Sequence, residues 1–315
     1  MPSYESINYT LRPAKHIERK MMLDVFRSLG TFDSVAAYRY IGFGSIYFSD
    51  FYLVHKHLGI TDMISIEKDS NNEKRFSFNR PFSCISIQFG NSVDVLPTLA
   101  WDRRTIIWLD YDGTLDKDVL ADIRCVCSNL AMGSMLIITV NAEPESKDNQ
   151  TRAVELLKKR IGENNVPSDI TDSELRKWGT AQTYRRIIHN QIQESVSDRN
   201  GVLNPGNKVI YQQLFNFNYA DGMKMVTVGG VFYDEGQISL MSVESLVSAF
   251  PFIRRDEFAY QIRVPNLTYR EIRHLDRLLP NEGSQVEVEI GIPEDDLRHY
   301  SETYRYFPNF VDIDI

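Results

Sequence analysis

Apolar and polar positions along this chain follow two different periods, and the switches between them mark out its elements. From Ala14 to Leu29 the spacing is helical: Ile17, Met21, Met22, Val25, Phe26 and Leu29 fall on one stripe, and Gly30 stops it. Val35–Ile41 reads as a strand, Gly42-Phe43-Gly44-Ser45 as a tight turn, and Ile46–Leu58 as a helix closed by Gly59. A second strand, Asp62–Ile66, ends at Glu67. The pattern repeats with a strand over Ser83–Gln88, the turn Phe89-Gly90-Asn91 and a short helix from Ser92. Thr105–Leu109 is an unbroken apolar run ending at Asp110, as in a parallel strand buried on both faces. A helix over Leu115–Leu130 leads to a second such strand, Ser134–Val140.

The segment 143–205 changes character. It is polar and helix-prone, with helices expected over Asn149–Lys159 and Ser173–Val196, and reads as a helical insertion. Lys208–Phe217 and Met223–Tyr233 flank a turn containing Asp221-Gly222, a strong hairpin signal. From 236 onward the chain reads as an appendage. It holds a helix capped by Thr268 and stopped at Pro280, then an aromatic tail of Tyr300, Tyr304, Tyr306, Phe307 and Phe310 that suits packing on its own core. Alternating β and α elements predict an α/β fold with a Rossmann-like, doubly wound sheet, mostly parallel with a terminal antiparallel hairpin. The expected organisation is an N-terminal helical segment (1–30), a cofactor-binding core (31–142), the insertion (143–205), the closing hairpin (206–235) and the C-terminal appendage (236–315).

Composition narrows the function classes. The chain has 315 residues, 43% hydrophobic and 25% charged, with a net charge of −8, which disfavours broad nucleic-acid binding. Local basic patches remain at Arg12–Lys20, Arg185-Arg186 and Arg254-Arg255. Cys84, Cys125 and Cys127 offer neither a disulfide framework nor metal-ligand spacing, so no metal is expected and a reducing, cytoplasmic location is. No apolar run is long enough to span a membrane.

The candidate chemistry begins at the first strand–helix turn. Gly42 and Gly44 let the backbone turn sharply, and the following helix offers free N–H groups to a ligand. Glu67, at the end of the next strand, is placed to accept hydrogen bonds from the hydroxyls of an adenosine ribose. The bulky Tyr47 stands where a dinucleotide fingerprint has its third glycine, so the pattern favours an adenosyl ligand without a pyrophosphate.

These residues resemble the class I S-adenosylmethionine-dependent methyltransferases, and more loosely the bacterial group described as O-methyltransferases. The resemblance covers roughly 35–140 and 207–234 and implies S-adenosylmethionine as cofactor and an unidentified acceptor, with O-methylation the leading activity. It places Gly42, Gly44 and Ser45 at the methionine end, Glu67 and Lys68 at the ribose, and Asn91 near the adenine. Asp110, Tyr111 and Asp112 would stand at the methyl-transfer point, with Asp110 also counted among the cofactor-binding residues. Asp110 or Asp112 is then the candidate base, and Tyr111 a stacking surface. Tyr9, Arg12 and Lys15 are candidates to cap the cofactor.

Two other readings stay open. Asp110-Tyr111-Asp112-Gly113-Thr114-Leu115 matches the signature of haloacid-dehalogenase-like, Mg-dependent phosphatases, with Thr139 and the pair Asp234-Glu235 as further members. The third is a non-catalytic methyltransferase fold acting as a sensor or binding protein. The insertion or the appendage would then meet a protein partner; in an enzyme the insertion is expected to shape the acceptor site.

Overall fold

The computed structural model describes residues 12–144, 152–240, 242–280 and 291–308. Helix α1 (Pro13–Ser28) opens on a proline, whose fixed φ suits a first helical turn. Its free N-terminal amides at Ala14 and Lys15 donate to the Asp221 carboxylate at 3.0 and 2.9 Å. All six residues of the predicted stripe are buried.

Strand β1 (Arg39–Gly42) is shorter than the apolar run that predicted it. Its ladder begins at Arg39 because the strands on both sides begin opposite that residue, at Asp62 and Thr105. Val35–Ala37 has no strand beside it and closes into a 3-10 turn. Helix α2 (Ser49–Leu58) starts three residues later than Ile46. Ser45 and Phe48 both adopt left-handed backbone angles, φ 53° and 48°, which cannot continue a helix. The ring of Phe48 is fully buried, which holds this strained turn in place.

β2 (Asp62–Glu67) follows, then α3 (Glu73–Asn79), β3 (Ile85–Phe89) and α4 (Ser92–Val95). α3 buries only Phe76, so it leaves no apolar stripe to read in the sequence. β4 (Thr105–Thr114) runs past Asp110, with an irregularity in its pairing to the next strand between Asp110 and Thr114. Asp116 caps α5 (Lys117–Asn129) by accepting from the N–H groups of Asp118 and Val119. β5 (Ser134–Asn141) is buried at every position.

α6 (Ala153–Ile161) and α7 (Gly179–Gly201) lie in the segment read as an insertion. α7 begins after Lys177, another left-handed residue, rather than at Ser173. Residues 149–151 of the expected first helix lie outside the described residues. The boundary expected at 143–205 does not divide the packing. Tyr184, Ile187, Ile188 and Ile192 of α7 share one apolar cluster with Ile123 of α5 and Leu136 of β5.

β6 (Val209–Ala220) and β7 (Lys224–Asp234) form the predicted antiparallel hairpin around Gly222. After α8 (Val243–Ala249), β8 (Tyr260–Ile262) adds to the outer edge, parallel to β6, so the hairpin does not end the sheet. α9 (Tyr269–Asp276) carries a reciprocal capping box between Thr268 and Glu271, and α10 (Glu294–Thr303) follows. Tyr300, Tyr306 and Phe307 are buried in the main apolar cluster; Tyr306 also donates to Asp24 of α1 at 3.1 Å. Phe310 lies outside the described residues.

The eight strands run in the order β3-β2-β1-β4-β5-β7-β6-β8. Only β7 is antiparallel to its neighbours, which makes the fold a mostly parallel, Rossmann-like α/β sheet. Strand order reverses at β1: β2 and β3 lie on one side, β4 and β5 on the other. A crevice at the carboxyl ends of β1 and β4 is the ligand position such topology provides.

Candidate functional site at the strand-order reversal

A cavity of about 660 Å³ opens at that reversal, a size ordinary for a small-molecule site. Its walls come from the first turn (Phe43, Ser45), the end of β2 (Glu67, Lys68), the β3–α4 turn (Gly90, Asn91, Ser92) and the end of β4 (Asp110, Tyr111, Asp112). Seven of the predicted site residues therefore meet around one space: Ser45, Glu67, Lys68, Asn91, Asp110, Tyr111 and Asp112. A smaller chamber of about 50 Å³ adjoins, bounded by Arg19, Gly44, Tyr47, Asp50 and, again, Ser45 and Asp110.

The two glycines act by close approach. A Cβ on Gly44 would stand 2.6 Å from the Phe48 ring and 2.6 Å from Ser65 Oγ; on Gly42 it would meet the Trp108 carbonyl at 3.1 Å. The Gly44 N–H donates to Glu67 Oε1 at 2.8 Å, and the Ser65 hydroxyl donates to the same oxygen at 2.5 Å. Glu67 is only 6% exposed, and burial pushes its carboxyl up to about 7 although Ser65 and the backbone of Gly44 and Ser45 hydrogen-bond to it. Glu67 thus ties the glycine turn to β2 while lining the cavity. Ser45 Oγ is buried with no hydrogen-bond partner among the described residues. Lys68 and Asn91 sit exposed at the rim.

At the end of β4 the neighbours of each residue separate their capacities. Asp110 Oδ2 is 2.9 Å from Lys15 Nζ, which is also 2.8 Å from Glu18 Oε2 and 3.1 Å from the Tyr219 hydroxyl. Lys15 and Glu18 are each 0% exposed, and the lysine ammonium lies 4.2 Å over the Trp108 ring. Glu18 also accepts from the Thr227 hydroxyl. Beside them Arg19 pairs with Asp50. Tyr111 donates its hydroxyl to Asp122 of α5 at 2.6 Å, and its ring packs edge-on against Phe43. Its ring lines the cavity, with the phenol already engaged. Asp112 is exposed at the mouth.

Of the expected caps, Lys15 lies beneath the site as a partner of Asp110, Arg12 pairs with Asp221 at 3.9 Å, and Tyr9 is outside the described residues. Among the described residues of the expected insertion, none of 152–205 lines this cavity. Residues missed in the sequence are Arg19, Asp116 and Asp118. A signal for the first existed: Lys15, Glu18 and Arg19 occupy the side of α1 that continues into Met22, Val25 and Phe26, and charges on an apolar stripe mark buried ion pairs.

The phosphatase reading fails on position. Thr139 is fully buried, accepts from Trp108 Nε1 at 2.9 Å and hydrogen-bonds Thr227 at 2.8 Å, so it faces the core. Asp234 pairs with Val209 at the opposite end of the sheet from Asp110, because β7 runs antiparallel.

No curated protein matches the chain. Solved structures with a similar arrangement include the O-methyltransferase TomG from Streptomyces achromogenes in complex with S-adenosylmethionine. It is 13% identical with a TM-score of 0.36, over 67% of this chain and 78% of that one. A Klebsiella pneumoniae protein described as a "putative O-methyltransferase" is 12% identical with a TM-score of 0.38, over 72% and 81%. LepI in complex with S-adenosylmethionine is 12% identical with a TM-score of 0.37 over 65% of this chain, which spans only 46% of LepI's length. The family profile described as "Putative O-methyltransferase" matches residues 7–315, nearly the whole chain, and the protein belongs to that family.

Proposed function

We propose that this protein is an enzyme that transfers a methyl group from S-adenosylmethionine to an oxygen acceptor. The observation that carries the reading is the cavity at the β1/β4 reversal, where a glycine turn, a strand-end glutamate and a strand-end aspartate converge. The residues present fit the cofactor: the volume is adequate, Ser45 offers a buried unpartnered hydroxyl, and Glu67 offers a carboxylate to ribose hydroxyls. When bound, S-adenosylmethionine supplies an activated methyl group on a sulfonium.

In this reading Gly42, Gly44 and Ser45 shape the methionine end, Glu67 and Lys68 the ribose, and Asn91 the adenine. Tyr111 and Phe43 form an aromatic wall that excludes water. Asp112, exposed at the open mouth, takes the acceptor's proton. The three cysteines are free, which suits a reducing compartment, and we place the enzyme in the cytoplasm. Among the described residues no helix is long and apolar enough to cross a membrane.

Calorimetric titration with S-adenosylmethionine and S-adenosylhomocysteine tests the reading. Micromolar binding that is lost in Gly44→Arg supports it; absence of binding to both ligands overturns it. Binding with no methyl transfer to any hydroxylated acceptor in a broad screen would favour the sensor alternative.

A further inference from the structure

We propose that a second cavity, outside the crevice at the strand-order reversal, is a binding site for a small polar monocarboxylate, anchored by Arg185 of α7. The cavity has a volume of about 390 Å³, within the range of small-molecule sites, and shares no lining residue with the crevice. Its walls come from the first half of α7, the segment before it and Glu257 ahead of β8, and the proposal is independent of the methyl-transfer reading.

Three observations carry it. First, the Arg185-Arg186 pair, a local basic patch in the sequence, splits here into two roles. Arg186 donates Nη1 and Nη2 to the two carboxylate oxygens of Asp169 at 2.6 and 2.9 Å. Arg185 donates Nε and Nη2 to one neutral acceptor, Gln213 Oε1, at 3.1 and 2.7 Å. Gln213 is 2% exposed, and its amide nitrogen donates to the carbonyls of Arg254 and Asp256 at 2.9 and 2.8 Å, which leaves its oxygen for the guanidinium. Arg185 is thus fixed in direction without being neutralised, and no described carboxylate forms an ion pair with it.

Second, half of the fork is open. A guanidinium carries five N–H groups. Gln213 engages the Nε–Nη2 edge, and the Nη1–Nη2 edge has no described partner. Two parallel N–H groups on one edge match the two oxygens of a carboxylate. Third, the remaining lining is polar. Thr183 is 3% exposed, and its hydroxyl has no described hydrogen-bond partner; nor have the side-chain amides of Gln182 and Asn190. Ile170 supplies the one large apolar side chain among the described lining residues, so the surface suits hydroxyl groups better than a hydrocarbon chain.

The neighbouring acids set the charge of the ligand. Glu174 and Glu257 line the cavity, and Asp256 acts on Arg185 through space. All three are exposed and screened by water, yet together they disfavour a dianion, whereas a single negative charge is balanced by Arg185.

Calorimetric titration tests the site, with acetate, lactate and glycerate as probes, methyl lactate as the uncharged control and inorganic phosphate as the dianion. Wild type should bind at least one monocarboxylate saturably and methyl lactate not at all. Arg185→Gln should weaken that binding roughly tenfold or more, and Arg185→Lys nearly as much, because an ammonium lacks the fork. Thr183→Val should weaken it about threefold. Glu257→Gln, at an exposed position, should tighten it about twofold. These last two variants decide the question where thermal unfolding shows that Arg185→Gln does not fold. Four results overturn the proposal: no saturable monocarboxylate binding at tens of millimolar, or methyl lactate or phosphate binding as tightly as the monocarboxylates. The others are binding that survives Arg185→Gln in a folded protein, or affinity unchanged in both Thr183→Val and Glu257→Gln.

Discussion

Glu67 and Asp110 stand at the carboxyl ends of β2 and β4, one on each side of β1, yet the protein holds them by opposite means. Around Glu67 the partners are neutral: a backbone amide of the glycine turn and a serine hydroxyl. Around Asp110 the partner is a buried ammonium that shares its charge with Glu18. Neutral donors fail to offset the desolvation of Glu67, and its carboxyl is pushed up to about 7. The comparison teaches that strand-end position alone does not assign a carboxylate its role. What lies beneath it decides whether it is held by neutral donors or by a buried ion pair.

The strongest way to break the comparison is Lys15→Ala. It would leave Glu18 and Asp110 without their cation, and destabilisation of about 3–5 kcal/mol is expected in chemical denaturation. A loss below about 1 kcal/mol would mean that the ammonium contributes no more than a surface pair.

Next in size is the pH dependence of Glu67. Its folded carboxyl is raised from 4.5 to about 7, so between those values the native state holds a proton that the unfolded chain has released. Its contribution is full below 4.5 and is lost as pH rises through about 7, in all about 3 kcal/mol. Glu67→Gln stays neutral, so the stability difference between wild type and variant should drift against wild type across that window. A constant difference would show that Glu67 is ionised like an ordinary surface acid. Binding has the reverse sign: ribose hydroxyls donate to the ionised form, so cofactor affinity should strengthen as pH rises towards 8.

The smallest effect sharpens the boundary of the Asp110 region. Tyr111 is the next residue on β4, but its hydroxyl is bonded to Asp122. Tyr111→Phe should cost about 1 kcal/mol of stability and leave methyl transfer within roughly twofold of wild type. A loss of turnover by a hundredfold would return the phenol to the chemistry.

Much of the fold was legible because its signals are local. The stripe of α1, the unbroken apolar runs of β4 and β5, and Asp221-Gly222 between two strands each state an element without reference to the rest. The failures share a cause. The start of β1 depends on where β2 and β4 begin, and the delayed start of α2 depends on Phe48 burying its ring in a left-handed turn. α7 is polar enough to read as an insertion, yet a narrow stripe of isoleucines is sufficient to fasten it to the sheet.

By itself the sequence determined the alternation of strands and helices, and with it which residues lie at or near the carboxyl ends of the strands: Gly44, Glu67, Asn91 and Asp110. That follows because hydrophobic period and glycine turns are properties of neighbouring residues. Only the tertiary structure decided what those residues face. Lys15 meets Asp110 across a long stretch of chain, Tyr111 turns to Asp122, and Thr139 turns inward to Trp108. Charge state and direction of a side chain are set by desolvation and by partners distant in sequence, and neither is written in the residues on either side.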